Sequence, residues 1–268
     1  MIHPTAVVDP SAKLGARVHI GPFCSVGPGT TLGEGVDLVS HVVVDGHTTI
    51  GAGTKIFPFA TIGMAPQDLK YRGEDTETII GARCTIREHA TINRGTEPGG
   101  GVTRVGDGCL IMTAGHIAHD CQIGNGVIIV NNVVMGGHVE IGDGAIIGGS
   151  AAIHQFVRIG RGAMIGGMSG VEADVIPFGM IIGNRARLAG LNIIGLRRRN
   201  IDHATIHHMR ATFNALFRDC TYPFHDRLTT LQSQTHDPYT TEILTFAAHP
   251  GKRGLIRTTT SAADDTEG

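Results

Sequence analysis

Histidines that recur along the middle of the chain are the residues best suited to acid–base chemistry. His116 and His119 lie in the motif HIAHDC, His138 follows, and His154 stands next to Gln155. An imidazole exchanges a proton near neutral pH, so histidine is the most common general base in proteins. A backbone N–H or an amide placed opposite such a base can bind an oxyanion. The cluster therefore predicts a general-base reaction at a carbonyl group.

A repeat of six residues runs through the part of the chain that carries these histidines. An aliphatic residue recurs at 26 positions, of which 25 are Ile, Leu or Val and one is Met135, and Gly follows directly at 14 of them. The frame runs from Ile2 to Ile62, resumes from Ile80 to Ile92, and returns shifted by one residue from Val105 to Val171.

This period predicts a hexapeptide parallel β-helix. Six residues form a short strand and a turn, and three such units close a triangular coil of 18 residues. Coils stack at the strand spacing of about 4.8 Å, so residues 18 apart lie above one another. A narrow aliphatic core leaves no room for large aromatic side chains, and the chain has no Trp. A β-sandwich would instead show apolar residues at every second position.

The coil length also predicts which groups face His119. One coil further is Gly137 and two coils further is Gln155, with His138 and His154 beside them. The Gly137 N–H would then lie about 5 Å from the imidazole, as an oxyanion donor facing a general base.

Covalent catalysis and metal catalysis are the alternatives to direct transfer. No Ser stands beside His119, and Cys121, two residues on, is expected to point off the same face, so direct transfer is favoured over a covalent intermediate. His116 and His119 are three residues apart and no carboxylate or thiolate completes a zinc site, so we expect no metal.

The predicted architecture is an all-β solenoid followed by α-helices. The β-helix spans residues 1–183, with polar or glycine-rich excursions at 63–79 and 95–103 that break the frame. A C-terminal helical domain spans 184–257, and the tail 258–268 is predicted to be disordered. Asp202 is the candidate N-cap of a first helix, and further helices are predicted over Leu228–Gln234 and Thr240–Ala248. The apolar residues at helical spacing in the first helix are Ile206, Met209, Phe213, Leu216 and Phe217.

Composition excludes several classes of function. The net charge of −2 argues against general nucleic-acid binding, and no apolar run approaches the ~18 residues of a membrane span. The N-terminus has no basic segment followed by an apolar run, so no signal peptide is expected. Five cysteines without a CxxC pair indicate reduced thiols in a cytoplasmic protein.

Several longer motifs resemble the UDP-N-acetylglucosamine O-acyltransferase family. They are QDLKY, INRGT, HIAHDC, HQF within AIHQFVRIG, GLRRR and RGLIR, and the similarity covers the chain up to Arg257. The resemblance implies a left-handed β-helix, the first reaction of lipid A biosynthesis, no cofactor, and a homotrimer with active sites between neighbouring β-helices. The implied substrates are UDP-N-acetylglucosamine and an acyl carrier protein that carries a (3R)-hydroxyacyl thioester.

The resemblance also assigns catalytic roles. His119, the second histidine of HIAHDC, corresponds to the general base that removes a proton from the glucosamine 3-hydroxyl. Gly137 corresponds to the oxyanion donor, in agreement with the coil length. Asp120 corresponds to the residue that orients His119, although consecutive strand residues are expected to point to opposite faces.

Substrate-binding residues are implied in the same way. Asp68 and His138 would hold the sugar, with Gln67 and Lys70 beside them, and the acyl and diphosphate groups would lie near His116, His154 and Gln155. Asn192, Arg198 and Arg199 match the uridine-nucleotide end, where guanidinium groups suit phosphate. Gly167 matches the acyl-chain ruler, and glycine there predicts a chain of about twelve to fourteen carbons. The run Arg197–Arg199 offers a basic patch to an acidic carrier protein.

Two departures and three alternative functions remain open. Asn93 replaces a His and Ile194 replaces an acidic residue of the family pattern, which leaves a 3-hydroxyl or a 3-amino acceptor possible. The alternatives are the N-acyltransferase later in the pathway, an acetyl-CoA-dependent sugar acetyltransferase, and a non-catalytic β-helix. The N-acyltransferase is expected to carry an extra N-terminal domain, whereas the repeat begins here at Ile2. The acetyltransferase would lack QDLKY, and a non-catalytic β-helix would not concentrate four histidines and Gln155 within three coils.

Overall fold

The computed structural model describes residues 1–234 and 236–258, and most of them form a left-handed parallel β-helix. Short strands, numbered in chain order, stack into three sheets that form the faces of a triangular prism. Face 1 consists of β1 (Val7–Val8), β4 (Ser25–Val26), β7 (Val43–Val44), β10 (Thr61–Met64), β13 (Thr91–Asn93), β16 (His116–Ile117), β19 (Val134–Met135), β22 (Ala152–Ile153) and β25 (Gly170–Val171).

The other two faces follow in the same order around each coil. Face 2 consists of β2 (Lys13–Leu14), β5 (Thr31–Leu32), β8 (His47–Ile50), β11 (Glu77–Ile80), β14 (Val102–Val105), β17 (Gln122–Ile123), β20 (Glu140–Ile141) and β23 (Arg158–Ile159). Face 3 consists of β3 (His19–Ile20), β6 (Asp37–Leu38), β9 (Lys55–Ile56), β12 (Thr85–Ile86), β15 (Leu110–Ile111), β18 (Ile128–Ile129), β21 (Ile146–Ile147), β24 (Met164–Ile165), β26 (Gly179–Ile182) and β27 (Arg187–Leu191).

The aliphatic ladder predicted from the repeat forms the core. From Ile20 to Val171 every residue of the repeat frame is at most 3% exposed, whereas Ile2 and Leu14 are exposed at the open N-terminal end. Each such side chain contributes roughly 1.5–3 kcal/mol by leaving water. The stack of ladders therefore holds the coils in register.

Most coils are 18 residues long, and two excursions enlarge two of them. Ser25 pairs with Val43, one coil of 18 residues away, whereas Thr61 pairs with Thr91 and Thr91 pairs with His116. The first excursion leaves after Met64 and returns at Glu77. The second leaves after Asn93, contains a 3-10 turn (Glu97–Gly99) and returns at Val102. Both leave at the edge between face 1 and face 2, which we call the site edge; its turns are residues 118–121, 136–139, 154–157 and 172–174.

The solenoid ends in a hairpin and four helices. Strand β26 pairs in parallel with β24 and antiparallel with β27. The helices are α1 (Ile193–Arg198), α2 (His203–Phe217), α3 (Phe224–Gln232) and α4 (Pro238–Ala248). In α2, the predicted apolar residues are buried, and the Asp202 carboxylate accepts the Thr205 N–H at 2.9 Å.

The predicted starts of the last two helices were wrong. Helix α3 begins at Phe224, not at Leu228, because Pro223 precedes its first turn and the Phe224 ring packs on Phe217. Helix α4 begins at Pro238, not at Thr240, because the Asp237 carboxylate caps it and proline suits the first helical position. The predicted disordered tail lies, from residue 259 on, outside the described residues.

No helix within residues 1–234 and 236–258 combines the length and the apolar character needed to cross a membrane.

Candidate functional site

A histidine–aspartate pair lies on the site edge at the middle of the solenoid. His119 Nδ1 lies 2.7 Å from Asp120 Oδ2, and the carboxylate can only accept, so Nδ1–H donates. This tautomer leaves Nε2 with its lone pair, ready to take a proton. The His119 side chain is 14% exposed and that of Asp120 is fully buried. The pair therefore has the arrangement of a general base and its orienting carboxylate.

Two threonines fix the Asp120 carboxylate and backbone. The Thr96 N–H donates to Oδ1 at 2.8 Å and its hydroxyl donates to Oδ2 at 2.6 Å, while the Asp120 N–H donates to Thr103 Oγ1. The expectation that Asp120 points away from His119 was wrong. Asp120 occupies a left-handed turn with φ 60°, not an extended strand, so consecutive side chains can meet.

Gly137 lies directly against the His119 ring, one coil further on. A Cβ atom built on Gly137 would lie 2.4 Å from His119 Cε1 and 2.6 Å from Nε2, so no other residue fits without moving the imidazole. Within the described residues, the Gly137 N–H has no hydrogen-bond acceptor, whereas its carbonyl accepts the Phe156 N–H. An N–H without an acceptor beside a base suits an oxyanion.

An aromatic stack continues from His119 along the site edge. His138 meets the His119 ring edge-on at 5.1 Å, and Phe156 stacks on His138 at 4.4 Å with an interplanar angle of 9°. Burial lowers the pKa of His138; His119 and Lys252 lower it further, while the charges of Asp120 and Asp68 oppose the shift. His138 is therefore neutral at pH 7 and can offer or accept a hydrogen bond.

His116 and Cys121 lie near the His119–Asp120 pair, which we call the dyad, but their environments differ from it. His116 lies on face 1 with Nδ1 2.7 Å from Thr91 Oγ1, and burial lowers its pKa below the usual value. The expectation that Cys121 points off the same face as His119 was wrong, because its side chain is fully buried in the core. Burial raises the pKa of Cys121 to about 12, which removes it as a nucleophile.

The first excursion brings Asp68 toward this site. Its carboxylate accepts the Lys70 N–H at 2.9 Å, while Gln67 and Lys70 are exposed. Asn93, which departs from the family pattern, is buried and donates to the Ala65 carbonyl at 3.1 Å. This hydrogen bond of Asn93 thus fixes the start of the first excursion to the solenoid.

The nucleotide-end residues lie elsewhere in the chain. Arg198 and Arg199 line a groove of about 710 Å³ on face 3, together with Met164 and Met180. Asn192 caps α1 by accepting the Gly195 N–H and donates to the Gly162 carbonyl. A single chain therefore does not bring these residues to the site edge.

The predicted ruler also lies away from the dyad. Gly167 is exposed in a turn at the opposite edge, between face 3 and face 1, and a Cβ there would meet only Gly149, at 3.2 Å.

The residues that the sequence analysis did not assign are Thr96, Thr103, Phe156 and the C-terminal pair Lys252 and Arg253. Thr96 belongs to the motif INRGT, Phe156 to HQF and Arg253 to RGLIR. The motifs therefore included these residues but did not show which groups they contact. Exposed His154 and Gln155 meet Arg253, which places its Nη2 2.6 Å from His154 Nδ1 and donates to the Gln155 carbonyl.

A metal ion would have to compete with the hydrogen bonds of the dyad. The donor atoms of His119, Asp120 and His138 lie within 4.8 Å of one another. Both Asp120 oxygens, however, already accept hydrogen bonds from Thr96 or His119. Function without a metal stays a prediction.

Comparisons with known proteins agree on one family. The profile described as UDP-N-acetylglucosamine O-acyltransferase, domain 2, matches residues 174–256, and a hexapeptide-repeat transferase profile matches residues 11–46. An acyl-[acyl-carrier-protein]–UDP-N-acetylglucosamine O-acyltransferase of Azorhizobium caulinodans is 51% identical over 95% of this chain and 94% of its own.

Solved structures give the same result. A crystal structure of a UDP-N-acetylglucosamine acyltransferase is 42% identical with a TM-score of 0.92, over 97% of this chain and 100% of its own. The Campylobacter jejuni enzyme of the same name is 37% identical with a TM-score of 0.91 over the same shares.

Proposed function

The chain belongs to the UDP-N-acetylglucosamine O-acyltransferase family, and we propose that it transfers a (3R)-hydroxyacyl group by general-base catalysis at His119. It is an acyltransferase of lipid A biosynthesis whose substrates are an acyl-acyl carrier protein and UDP-N-acetylglucosamine. The observation that carries the mechanism is the contact of the His119–Asp120 pair with Gly137. The reaction belongs in the cytoplasm, as the free thiols of all five cysteines favour.

The chemical step needs one proton shuttle and one oxyanion donor. His119 Nε2 takes the proton of the glucosamine 3-hydroxyl as its oxygen attacks the thioester carbonyl carbon. The Gly137 N–H donates to the carbonyl oxygen, which becomes negative in the tetrahedral intermediate. When the intermediate collapses, the C–S bond breaks and the thiolate of the carrier arm takes the proton from His119. Asp120 stabilises the imidazolium between the two transfers.

Substrate binding is assigned around that step. We assign the sugar to Asp68 and neutral His138, with Gln67 and Lys70 at the rim of the first excursion. His116, His154 and Gln155 would line the acyl and diphosphate positions. These roles rest on the family pattern and on the nearness of Asp68 to His138.

A homotrimer would complete the site. Within a chain, His119 lies on the site edge whereas Arg198 and Arg199 lie in the groove on face 3, which supports a nucleotide that reaches from one chain to another. The outward residues of face 1 include no charged side chain, and those of face 3 are apolar from β15 to β26. Face 2 instead presents the charges of Lys13, Arg104, Glu140 and Arg158.

The edge between the two less charged faces carries a ladder of rings. Phe23, His41, Phe59 and His89 follow one another with ring centroids 5.0–5.1 Å apart, and Phe23 and Phe59 are more than half exposed. Exposed phenylalanine rings such as Phe23 and Phe59 in this ladder are typical of an interface. We propose that this edge faces the three-fold axis, with face 1 of one copy against face 3 of the next.

The reaction is tested by an acyl-transfer assay with purified protein, UDP-N-acetylglucosamine and (3R)-hydroxyacyl carrier proteins of several lengths. We expect transfer to the sugar, unchanged by dialysis against EDTA, and a loss of at least about 10²-fold in kcat in His119→Ala. His225→Ala, an exposed histidine on α3, is the matched control. Absence of transfer with every donor would exclude the activity, and a retained rate in His119→Ala would exclude the base. The 3-amino analogue of the sugar nucleotide identifies the acceptor atom.

The acyl ruler is tested in the same assay. Gly167 is exposed, and an added Cβ would lie 3.2 Å from the Gly149 carbonyl oxygen, so Gly167→Met should fold with a small shift of that turn. The variant should shorten the preferred chain from about twelve to fourteen carbons by several carbons. Gly190→Ala, where an added Cβ meets nothing within 4 Å, is the control. An unchanged length preference would remove the role of Gly167.

A further inference from the structure

The segment that follows α4 is anchored on the last coil of the solenoid, next to the site edge. The Asp174 carboxylate is fully buried and accepts the Gly251 N–H at 2.8 Å and the Arg158 N–H at 2.9 Å. The Asp174 backbone pairs with Gly254 and Ile256, and the Arg158 guanidinium donates to the His249 carbonyl. These bonds fix residues 249–256 against the site.

One cation of this segment, Lys252, meets the aromatic stack that begins at the dyad, and a second, Arg253, binds beside it. Lys252 Nζ lies 4.2 Å from the centre of the Phe156 ring, whose other neighbour in the stack is His138. Arg253 contacts His154 and the Gln155 carbonyl. Three ring contacts of 4.2–5.1 Å therefore lead from Lys252 to His119.

Within residues 1–234 and 236–258, no carboxylate pairs with either cation. The partners of Arg253 are an imidazole and a carbonyl. Lys252 is exposed. Two uncompensated cations at the rim of a site attract an anionic part of the ligand.

The arrangement of the site indicates which ligand supplies that anion. The two excursions bring Asp68 and Thr96 toward the dyad from its N-terminal side, and the proposed function assigns the sugar to Asp68 and His138. Arg253 contacts His154 and Gln155, which the proposed function places near both the acyl group and the sugar-nucleotide diphosphate, whereas Lys252 lies beyond Phe156 and is assigned to the donor. An acyl carrier protein holds its thioester on a pantetheine arm that ends in a phosphodiester. This arm is about as long as four extended residues, roughly 14 Å.

We propose that Lys252, supported by Arg253, binds the phosphodiester of the pantetheine arm and so selects phosphorylated acyl donors. The contact would place the thioester between His119 and the Gly137 N–H while the acyl chain extends toward the neighbouring copy. The inference rests on the proposed function, because it names the residue that recognises the donor in that reaction. Charge-assisted contacts to phosphate are among the stronger polar interactions.

The experiment compares two small donors that differ only in the phosphate: (3R)-hydroxyacyl phosphopantetheine and (3R)-hydroxyacyl pantetheine. We expect the wild-type protein to favour the phosphorylated donor by about fivefold to tenfold in kcat/KM. Lys252→Met should lose most of this preference, and Lys252→Arg should keep it. Lys13→Met, which removes an exposed lysine of face 2, should behave as wild type.

Each other result overturns the inference in a distinguishable way. Equal rates of wild type with both donors, or a Lys252→Met variant that loses both equally, would reduce Lys252 to a packing residue. A raised KM for UDP-N-acetylglucosamine with an intact donor preference would assign the cations to the sugar-nucleotide diphosphate. No transfer from an acyl carrier protein by wild type would instead reject the proposed function itself.

Discussion

At the scale of single residues, the site depends on one buried carboxylate and one glycine. Asp120 has no exposed side-chain surface and binds His119 and Thr96, so its charge acts on the imidazole without competition from water. Gly137 brings its backbone within van der Waals contact of the same ring. The proposed base, its orienting group and the proposed oxyanion donor are thus preorganised before a substrate arrives.

A single methyl group at Gly137 tests this arrangement. Because the added Cβ would lie 2.4 Å from His119 Cε1, Gly137→Ala must displace the imidazole or the turn. We expect kcat to fall by about 10²-fold while circular dichroism and the melting midpoint stay close to wild type. Gly190→Ala, in open space, should keep the full rate. A fully active Gly137→Ala variant would contradict the proposed oxyanion position.

At the scale of the elements, the second excursion positions the proposed catalytic pair, His119 and Asp120. The coil before His119 leaves the solenoid after Asn93, and this path brings Thr96 back onto Asp120. The following strand β14 then supplies Thr103, whose side-chain hydroxyl oxygen accepts the Asp120 N–H. The excursion therefore supports the dyad through Thr96.

Removal of one hydroxyl tests that support. Thr96→Val keeps the shape and the backbone N–H but deletes the donor to Asp120 Oδ2, so the carboxylate loses one of its bonds. We expect kcat to fall about threefold to tenfold with nearly unchanged KM values. Thr96→Ser should restore the rate because it retains the hydroxyl, and Thr49→Val, an exposed threonine of face 2, should have no effect. A wild-type rate in Thr96→Val would show that the backbone N–H alone holds Asp120.

At the scale of the whole molecule, one chain separates the dyad from the residues that we propose for the nucleotide and the acyl chain. The dyad lies on the site edge, while the nucleotide groove and Gly167 lie on face 3 and at its junction with face 1. A rigid solenoid cannot fold these surfaces together, because every coil is held in register by buried ladders. Two copies can bring them together.

Mixing of inactive variants tests a site shared between copies. His119→Ala and the double variant Arg198→Ala, Arg199→Ala should each be strongly impaired alone. After co-refolding or co-expression in equal amounts, about a quarter of the sites should be intact, because each contributing surface is intact in half of the chains. Mass measurement by light scattering checks the trimer. No recovered activity in mixed trimers would show that both residue sets serve one chain.

The repeat in the sequence determined the β-helix, because a six-residue period fixes which side chain enters the core, and the inward residues are indeed buried from Ile20 to Val171. The same period placed Gly137 one coil from His119, since residues 18 apart must stack. The family motifs predicted the acyltransferase activity, which is also the activity named for the relatives.

Only the tertiary structure decided how the groups around His119 are held. Asp120 points toward His119 because it occupies a left-handed turn, where the alternation of side chains along a strand does not apply. The Cys121 side chain is buried in the core. Thr96 reaches the site from the second excursion, 24 residues before Asp120 in the sequence. Lys252 reaches it from the C-terminal segment, which is still further away in the sequence. No local pattern encodes such contacts, because they depend on where a non-repeating segment returns to the solenoid. The glycine-rich repeat therefore determined the scaffold, and its interruptions determined the site.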